Sequence, residues 1–172
     1  MFFFTSDTHF GHKNIIQYNN RPFKNLEEHD EILISNWNNK ICPSDTVYHL
    51  GDFSFGNPYE YKRRLNGNII LIKGNHDFRY ENNLYKVFGK TFEYLAIKIE
   101  NQDIFLCHYA MRVWNKSHFN SWHLFGHSHG GLKEEWGKSF DVGVDSNNFE
   151  PLSFLEVKEI MLKKPDNFNL IK

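Results

Sequence analysis

The chain is short of the features that mark secreted, membrane-spanning or nucleic-acid-coating proteins. It carries two cysteines, Cys42 and Cys107, in 172 residues. That is too few for a disulfide framework, and the spacing is not Cys-x-x-Cys, so a reducing compartment and buried, inert thiols are expected. No apolar stretch approaches the roughly 20 residues of a membrane span. The opening Met1-Phe2-Phe3-Phe4 meets Asp7 without a basic start, unlike a secretory leader. A formal net charge of -1 supplies no general field for nucleic acid, and no basic track is evident. Linkers, repeats and low-complexity segments are also missing. A soluble, cytoplasmic protein with one domain over residues 1–172 is the expectation, and nothing in the sequence speaks to oligomeric state. What is present is apolar material: 40% hydrophobic and 17% aromatic residues, enough for one substantial core.

The first half alternates strand and helix. Residues 2–6 form an apolar run with a β-branched end, as a buried strand does. Asn25-Leu26-Glu27-Glu28 has the form of a capping box and opens a helix to about Asn38, with Leu26, Leu33 and Trp37 facing inward. Residues 46–50 read as a second strand. Asn57-Pro58-Tyr59-Glu60 supplies an N-cap, a proline at the first helical position and a glutamate at N3. That helix should stop at Asn66-Gly67, and residues 68–72 form a third strand. The second half is richer in strands: a short helix at 81–88, a hairpin of 92–100 with 103–108, then strands at 122–125, 140–144 and 153–157. A short helix over 157–163 and a loose polar tail after Pro165 complete it. Parallel α/β units followed by a strand-rich half imply two sheets packed face to face with helices outside.

Five polar motifs punctuate this pattern: Asp7-Thr8-His9, Gly51-Asp52, Gly74-Asn75-His76-Asp77, His108 and Gly126-His127-Ser128-His129. Each alone reads as a strand end or a turn. In series, each at the end of an apolar run, they offer the oxygen and imidazole donors that borderline divalent metals take. Ligands of open α/β sheets bind at carboxyl ends of strands, so the motifs can converge. In an extended segment Asp7 and His9 would point the same way, and His127 and His129 could approach similarly. Asp52 has two oxygens and suits a bridge between ions; Asn75 and His108 add a carbonyl oxygen and an imidazole. Seven ligands exceed one tetrahedral ion but suit two ions sharing a carboxylate, with a bridging hydroxide as nucleophile. His76 is then free to contact phosphate or protonate a leaving group, with Asp77 fixing its tautomer.

This series resembles that of the calcineurin-like metallophosphoesterases from Asp7 to His129, and the run from Gly143 to Pro151 resembles small bacterial and phage members. The resemblance implies an α/β (α+β) fold, a four-layer sandwich of two mixed β-sheets flanked by helices. It implies one ion on Asp7, His9, Asp52 and His129, and another on Asp52, Asn75, His108 and His127. It gives His76 the phosphate-contact or acid role and Asp77 the orienting one. Family members use manganese, iron, zinc or nickel, and manganese is the expectation here. Two departures stand out: Phe55 replaces an aspartate often found three residues after the Gly-Asp position, and Tyr109 follows the histidine at 108 where a small or acidic residue is common.

The remaining histidines and cations are assigned by position. His12 should lie on the rim of the site, and His29 and His49 should be structural. His118, Arg112 and Trp114 fall between His108 and His127, where they could wall the pocket and meet a phosphate or a base. His123 lies in the same stretch. Arg21, Lys24, Arg63 and Arg64 read as solvated. The function that follows is a metal-dependent phosphoesterase acting on a phosphodiester or nucleotide-type ester. The alternatives are a phosphomonoesterase or protein phosphatase, and, from another class, a non-catalytic scaffold of the same fold.

Overall fold

The computed structural model describes residues 1–133 and 136–171, with the backbone alone at 80–83. In chain order its elements are β1 (Phe2–Thr5), α1 (Ile15–Tyr18), α2 (Leu26–Lys40), β2 (Thr46–His49), α3 (Pro58–Lys62) and β3 (Asn68–Ile72). There follow α4 (Glu81–Phe88), β4 (Thr91–Phe92), β5 (Tyr94–Ile99), β6 (Gln102–Cys107), β7 (Trp122–Phe125), β8 (Ser139–Asp141), β9 (Leu152–Ser153) and α5 (Phe154–Lys163). One sheet runs β4-β3-β2-β1-β9, parallel except for β9. The other runs β5-β6-β7-β8, with an antiparallel hairpin β5–β6 and parallel pairs beyond it. Both sheets are mixed, and the chain has the expected α/β sandwich architecture.

Side-chain alternation explains the layering. Successive strand residues face opposite ways, so Phe3, Val47, Ile69 and Leu71 meet Leu33, Ile34 and Trp37 of α2 and Leu84 and Phe88 of α4. Their neighbours Phe4, Tyr48 and Ile72 face Ile104, Leu106, Trp122 and Leu124 of the second sheet. Each such side chain taken fully from water contributes about 1.5–3 kcal/mol. The far side of the second sheet is covered thinly: Phe105 and Cys107 pack under Trp114 and Met111 from the loop after β6.

Helix starts follow the cap chemistry. Asn25 accepts from the Glu28 N–H at 2.9 Å, and Asn57 accepts from the Tyr59 N–H at 3.1 Å. The α2 helix runs two residues past the expected end, to Lys40, and α3 stops at Lys62, the chain reaching Gly67 through tight turns. Five expectations are corrected. The run 92–100 breaks at Glu93 and its two parts enter different sheets. The strand expected at 153–157 ends at Ser153, because Ser153 and Glu156 form a reciprocal capping box and α5 starts at once. The tail is docked, since buried Asn167 donates to the Ser117 and Ser121 carbonyls and accepts from the Lys138 N–H. Cys42 is exposed, and Cys107 alone is buried. The strand expected at 140–144 ends at Asp141, and the short helix α1 had no strong signal.

Ser153→Ala removes the side-chain half of this cap. It should lower stability by about 1 kcal/mol, read as an earlier midpoint in urea unfolding with an unchanged slope.

Candidate metal centre

The parallel strands β1, β2, β3, β6 and β7 bring their carboxyl ends, and the loops beyond them, to one side of the sandwich. The loops do not continue as extended chain. Asp7 (φ 58), His9 (φ 51), Asp52 (φ 55), His127 (φ 64) and His129 (φ 46) all sit in the left-handed region. A side-chain-bearing residue held there costs about 1–3 kcal/mol, and such strain collects at functional sites. The expectation that Asp7 and His9 share a direction through extended alternation is therefore corrected: two left-handed turns aim them inward. Backbone bonds fix those turns, from the Asp7 N–H to the Gly51 carbonyl and from the His9 N–H to the Asp52 carbonyl, each 3.0 Å.

The donors gather into two groups. Ligand atoms of Asp7, His9 and His129 lie within 4.8 Å of one another, and so do those of Asp52, His108 and His127. Asp52 stands between the groups: its Oδ2 is 3.6 Å from His9 Nε2 and 3.6 Å from His108 Nε2. Asn75 Oδ1 lies 3.1 Å from His108 Nε2, on the second group's side. All seven candidate ligands thus come together. His76 lies beside them, its half-exposed ring placing Nε2 3.9 Å from Asp52 Oδ2.

The chemistry of these donors fits cations. Asp7 Oδ1 and His9 Nε2 are buried with no hydrogen-bond partner, a loss of about 1–3 kcal/mol apiece unless something binds them. The outer ring nitrogens are already used. His108 Nδ1–H donates to the Leu50 carbonyl and His129 Nδ1–H to Asp145, each 2.7 Å, leaving both Nε2 lone pairs facing the centre. Metal-binding histidines are oriented in this way. The backbone also comes close, because a Cβ on Gly74 would overlap the Asp52 carboxylate and one on Gly126 would overlap Ser6 and Asp7.

Burial governs the electrostatics. It raises the Asp7 carboxyl to about 8 against the pull of His129, and Asp52 nearby raises it further. It drives the His9 imidazole far below its usual range and lowers His127 as well. For His129, burial pulls down, but the Asp145 bond and the charges of Asp7 and Asp145 outweigh it and the pKa is raised. Without a cation the anion at Asp7 is disfavoured.

Several expected roles change. Asp77 was to orient His76; its buried carboxylate instead accepts the backbone N–H groups of Asp52 (2.8 Å), Gly74 (2.8 Å) and Phe53 (3.1 Å), stitching the loops after β2 and β3 together. His12 does reach the rim, stacked on Phe55 at 3.7 Å with its Nδ1 3.4 Å from His9 Nδ1, and burial lowers it to about 4. Trp114 presents no face to a base: it is buried and its indole N–H donates to Ser121 at 3.1 Å. Arg112 is exposed and covers the Trp136 ring at 4.2 Å. The His118 ring lies against Phe119 at 4.2 Å, and no described contact ties it to the seven. His29, His49 and His123 are buried, with His49 lowered to about 3 by its burial.

Two residues of the site were not anticipated. Arg21 is buried rather than solvated, and it forms a two-toothed pair with Asp145, 2.8 and 2.7 Å. Asp145 had a usable signal, being a carboxylate just past an apolar run. Arg21 had none, for it lies in the polar stretch Asn19-Asn20-Arg21-Pro22.

A sandwich of two mixed sheets with paired donor groups at the strand ends defines a metal-dependent phosphoesterase architecture. The calcineurin-like phosphoesterase superfamily domain matches residues 1–140, and the chain belongs to that family. It is 37% identical over 159 residues to an uncharacterized protein of Methanocaldococcus jannaschii, MJ1445, covering 86% of this chain and 84% of that one. A shorter match, 39% over 80 residues, covers 43% of this chain and 38% of the gene 66 protein of Mycobacterium phage L5. Among solved structures, the protein of unknown function AQ665 from Aquifex aeolicus superposes with a TM-score of 0.75 at 29% identity, covering 93% and 98% of the two chains.

In a chelator, the contribution of Asp7 to stability should fall as pH rises from 6.5 to 8. Folded Asp7 keeps its proton up to about 8 while the unfolded carboxyl loses it near 3.8, so the folded state binds the extra proton and loses that advantage as pH climbs. The histidines that burial lowers titrate near 6.5 when unfolded and act in the opposite sense, so the Asp7 contribution is read as a difference from a variant that lacks the carboxyl. By urea unfolding, the stability of wild type relative to Asp7→Asn should drop by about 1 kcal/mol per pH unit across that window, and added Mn2+ should flatten the drop.

Proposed function

We propose that the chain is a two-cation phosphoesterase, with Asp7, His9, Asp52 and His129 holding one ion and Asp52, Asn75, His108 and His127 the other. The observation that carries this reading is Asp52 Oδ2, equidistant at 3.6 Å from an imidazole of each group. Bound divalent cations at such a site neutralise phosphate charge and make water acidic enough to serve as the nucleophile at neutral pH. Manganese is the proposed metal, with iron, zinc and nickel also suited to the oxygen and nitrogen donors.

The chain's own groups supply the rest. His76 is half exposed beside Asp52, where its Nε2 can hand a proton to the departing oxygen. Its backbone N–H donates to Asp52 Oδ1 at 2.9 Å, which sets the distance between acid and centre. His12, neutral at pH 7 and stacked on Phe55, forms the rim that a phosphate substituent would touch. Arg112 stays a candidate contact for a second phosphate; Trp114 and His118 do not.

The substrate proposed is a phosphodiester or a nucleotide-type ester. Asp7, His9 and His108 are buried while Asn75 and His127 are exposed, so the centre opens on the second group's side and leaves room for two ester substituents. Among the described residues, no helix is long and apolar enough to cross a membrane. A cytoplasmic location accords with the two unpaired cysteines.

Hydrolysis of bis-p-nitrophenyl phosphate against p-nitrophenyl phosphate tests the assignment. Manganese-loaded wild type should turn over the diester faster, and Asp52→Asn should lose at least about 100-fold in kcat. A protein fully loaded with manganese and inert to both esters would sink the reading. His76→Asn should lose about 10²–10⁴-fold on an alkyl ester, whose alkoxide needs a proton, and much less on the nitrophenyl ester.

A further inference from the structure

Arg21 sits between α1 and α2 with its guanidinium closed off from water. Its Nε and Nη2 grip the two oxygens of Asp145 at 2.8 and 2.7 Å. The Nη2 also donates to the Asp7 carbonyl at 2.8 Å and Nη1 to the Thr8 carbonyl at 3.1 Å. The Nη1 further donates to His29 Nε2 at 2.7 Å, and His29 Nδ1–H donates on to Asp30 at 2.8 Å. A buried guanidinium with this many acceptors is a rigid clamp, and its charge is balanced by Asp145.

Every member of one donor group depends on this clamp. Asp7 is held through its own carbonyl and His9 through the Thr8 carbonyl of the peptide that precedes it. His129 is held through Asp145, which takes its Nδ1–H at 2.7 Å. The side chains of the other group answer to different partners: His108 to the Leu50 carbonyl, and the Asp52 turn to Asp77, while the two groups meet where the His127 N–H donates to Asp7 Oδ2 at 2.9 Å. Among the described residues, no hydrogen bond joins Arg21 to Asp52, His108 or His127. The left-handed turns at Asp7 and His9 deepen the dependence, because strained backbone keeps its shape only while its carbonyls stay bonded.

We infer that Arg21 is a positioning residue for one cation only, the one held by Asp7, His9 and His129, acting through two backbone carbonyls and through Asp145. This rests on reading the two donor groups as cation sites. Lysine cannot replace it. A lysine ammonium can pair with Asp145 but lacks the planar fork that reaches both oxygens and the two carbonyls together.

The test counts bound Mn2+ by electron paramagnetic resonance, with circular dichroism to report folding. Wild type should bind two equivalents. Arg21→Lys should hold one equivalent within about threefold of wild-type affinity and bind the other about 10–100-fold more weakly, the usual cost of losing an outer orienting contact. His129→Ala should weaken the same equivalent, and the Arg21→Lys/His129→Ala pair should weaken it by less than the sum of the two single losses, because the part of the Arg21 effect carried by Asp145 is already gone. Should Arg21→Lys not fold, Asp145→Asn decides the same question, with the same one-site loss expected. Two equivalents bound with wild-type affinity in the folded variant, equal weakening of both, or additive losses in the pair would each overturn the inference. Fewer than two equivalents in wild type would instead overturn the two-cation reading beneath it.

Discussion

The loops of this protein are arranged around one carboxylate. Asp52 carries its own backbone in a left-handed turn, and three neighbouring segments bond or crowd it. Its N–H is held by Asp77, its carbonyl takes the His9 N–H, its Oδ1 takes the His76 N–H, and its Oδ2 faces His9 and His108. Those contacts join the loop after β2, which carries Asp52, to the loops after β1, β3 and β6. A carboxylate with so many fixed neighbours cannot move without moving both sheets. The sheets in turn keep their strand ends on one side because β1 to β4 and β6 to β8 are parallel.

Asp77 shows how burial serves this arrangement. Its carboxyl is raised to about 6 by loss of solvent, with the three backbone N–H bonds pulling the other way. At neutral pH it is therefore anionic, and the anion is what makes those bonds strong. Asp77 ties the Gly51-Asp52 turn to the Gly74-Asn75 turn, so the positions of Asp52 and Asn75 are set by one side chain. The orienting role inferred for it from family resemblance is real in kind but has a different object: it orients backbone, not the imidazole of His76.

How much of this was legible in the sequence divides along the same physical line. Elements ruled by local chemistry could be read, as at Asn25 and Asn57, whose side chains accept N–H groups within the next turn. So could the donor motifs, because strand ends are marked by the change from apolar to polar residues. What could not be read were decisions made at long range. Nothing local says that the run 92–100 must divide between two sheets, or that Arg21 will meet a carboxylate 124 positions away. Trp114 was legible as an aromatic near the site but not as a buried one, since its partner Ser121 lies across a folded loop. The capping box at Ser153 was legible in principle and was masked by the apolar residues around it.

The same site explains why strain and stability are unequal across the molecule. Five left-handed residues and two unpartnered buried polar atoms lie within one set of loops, while the central strands beneath bury apolar side chains such as Phe4, Val47, Leu71 and Leu106. A fold normally removes such costs, and here removing them would remove the donors: relaxing Asp7 into extended backbone would turn its carboxylate from His129, and hydrating it would lower its affinity for a cation. The two hydrophobic layers on either side of the first sheet supply the stability that lets these costs stand. A bound cation would relieve the electrostatic part of these costs, by partnering Asp7 Oδ1 and His9 Nε2 and replacing the proton that burial forces on Asp7. Metal loading would then be linked to folding, with the strained loops already shaped around the donors.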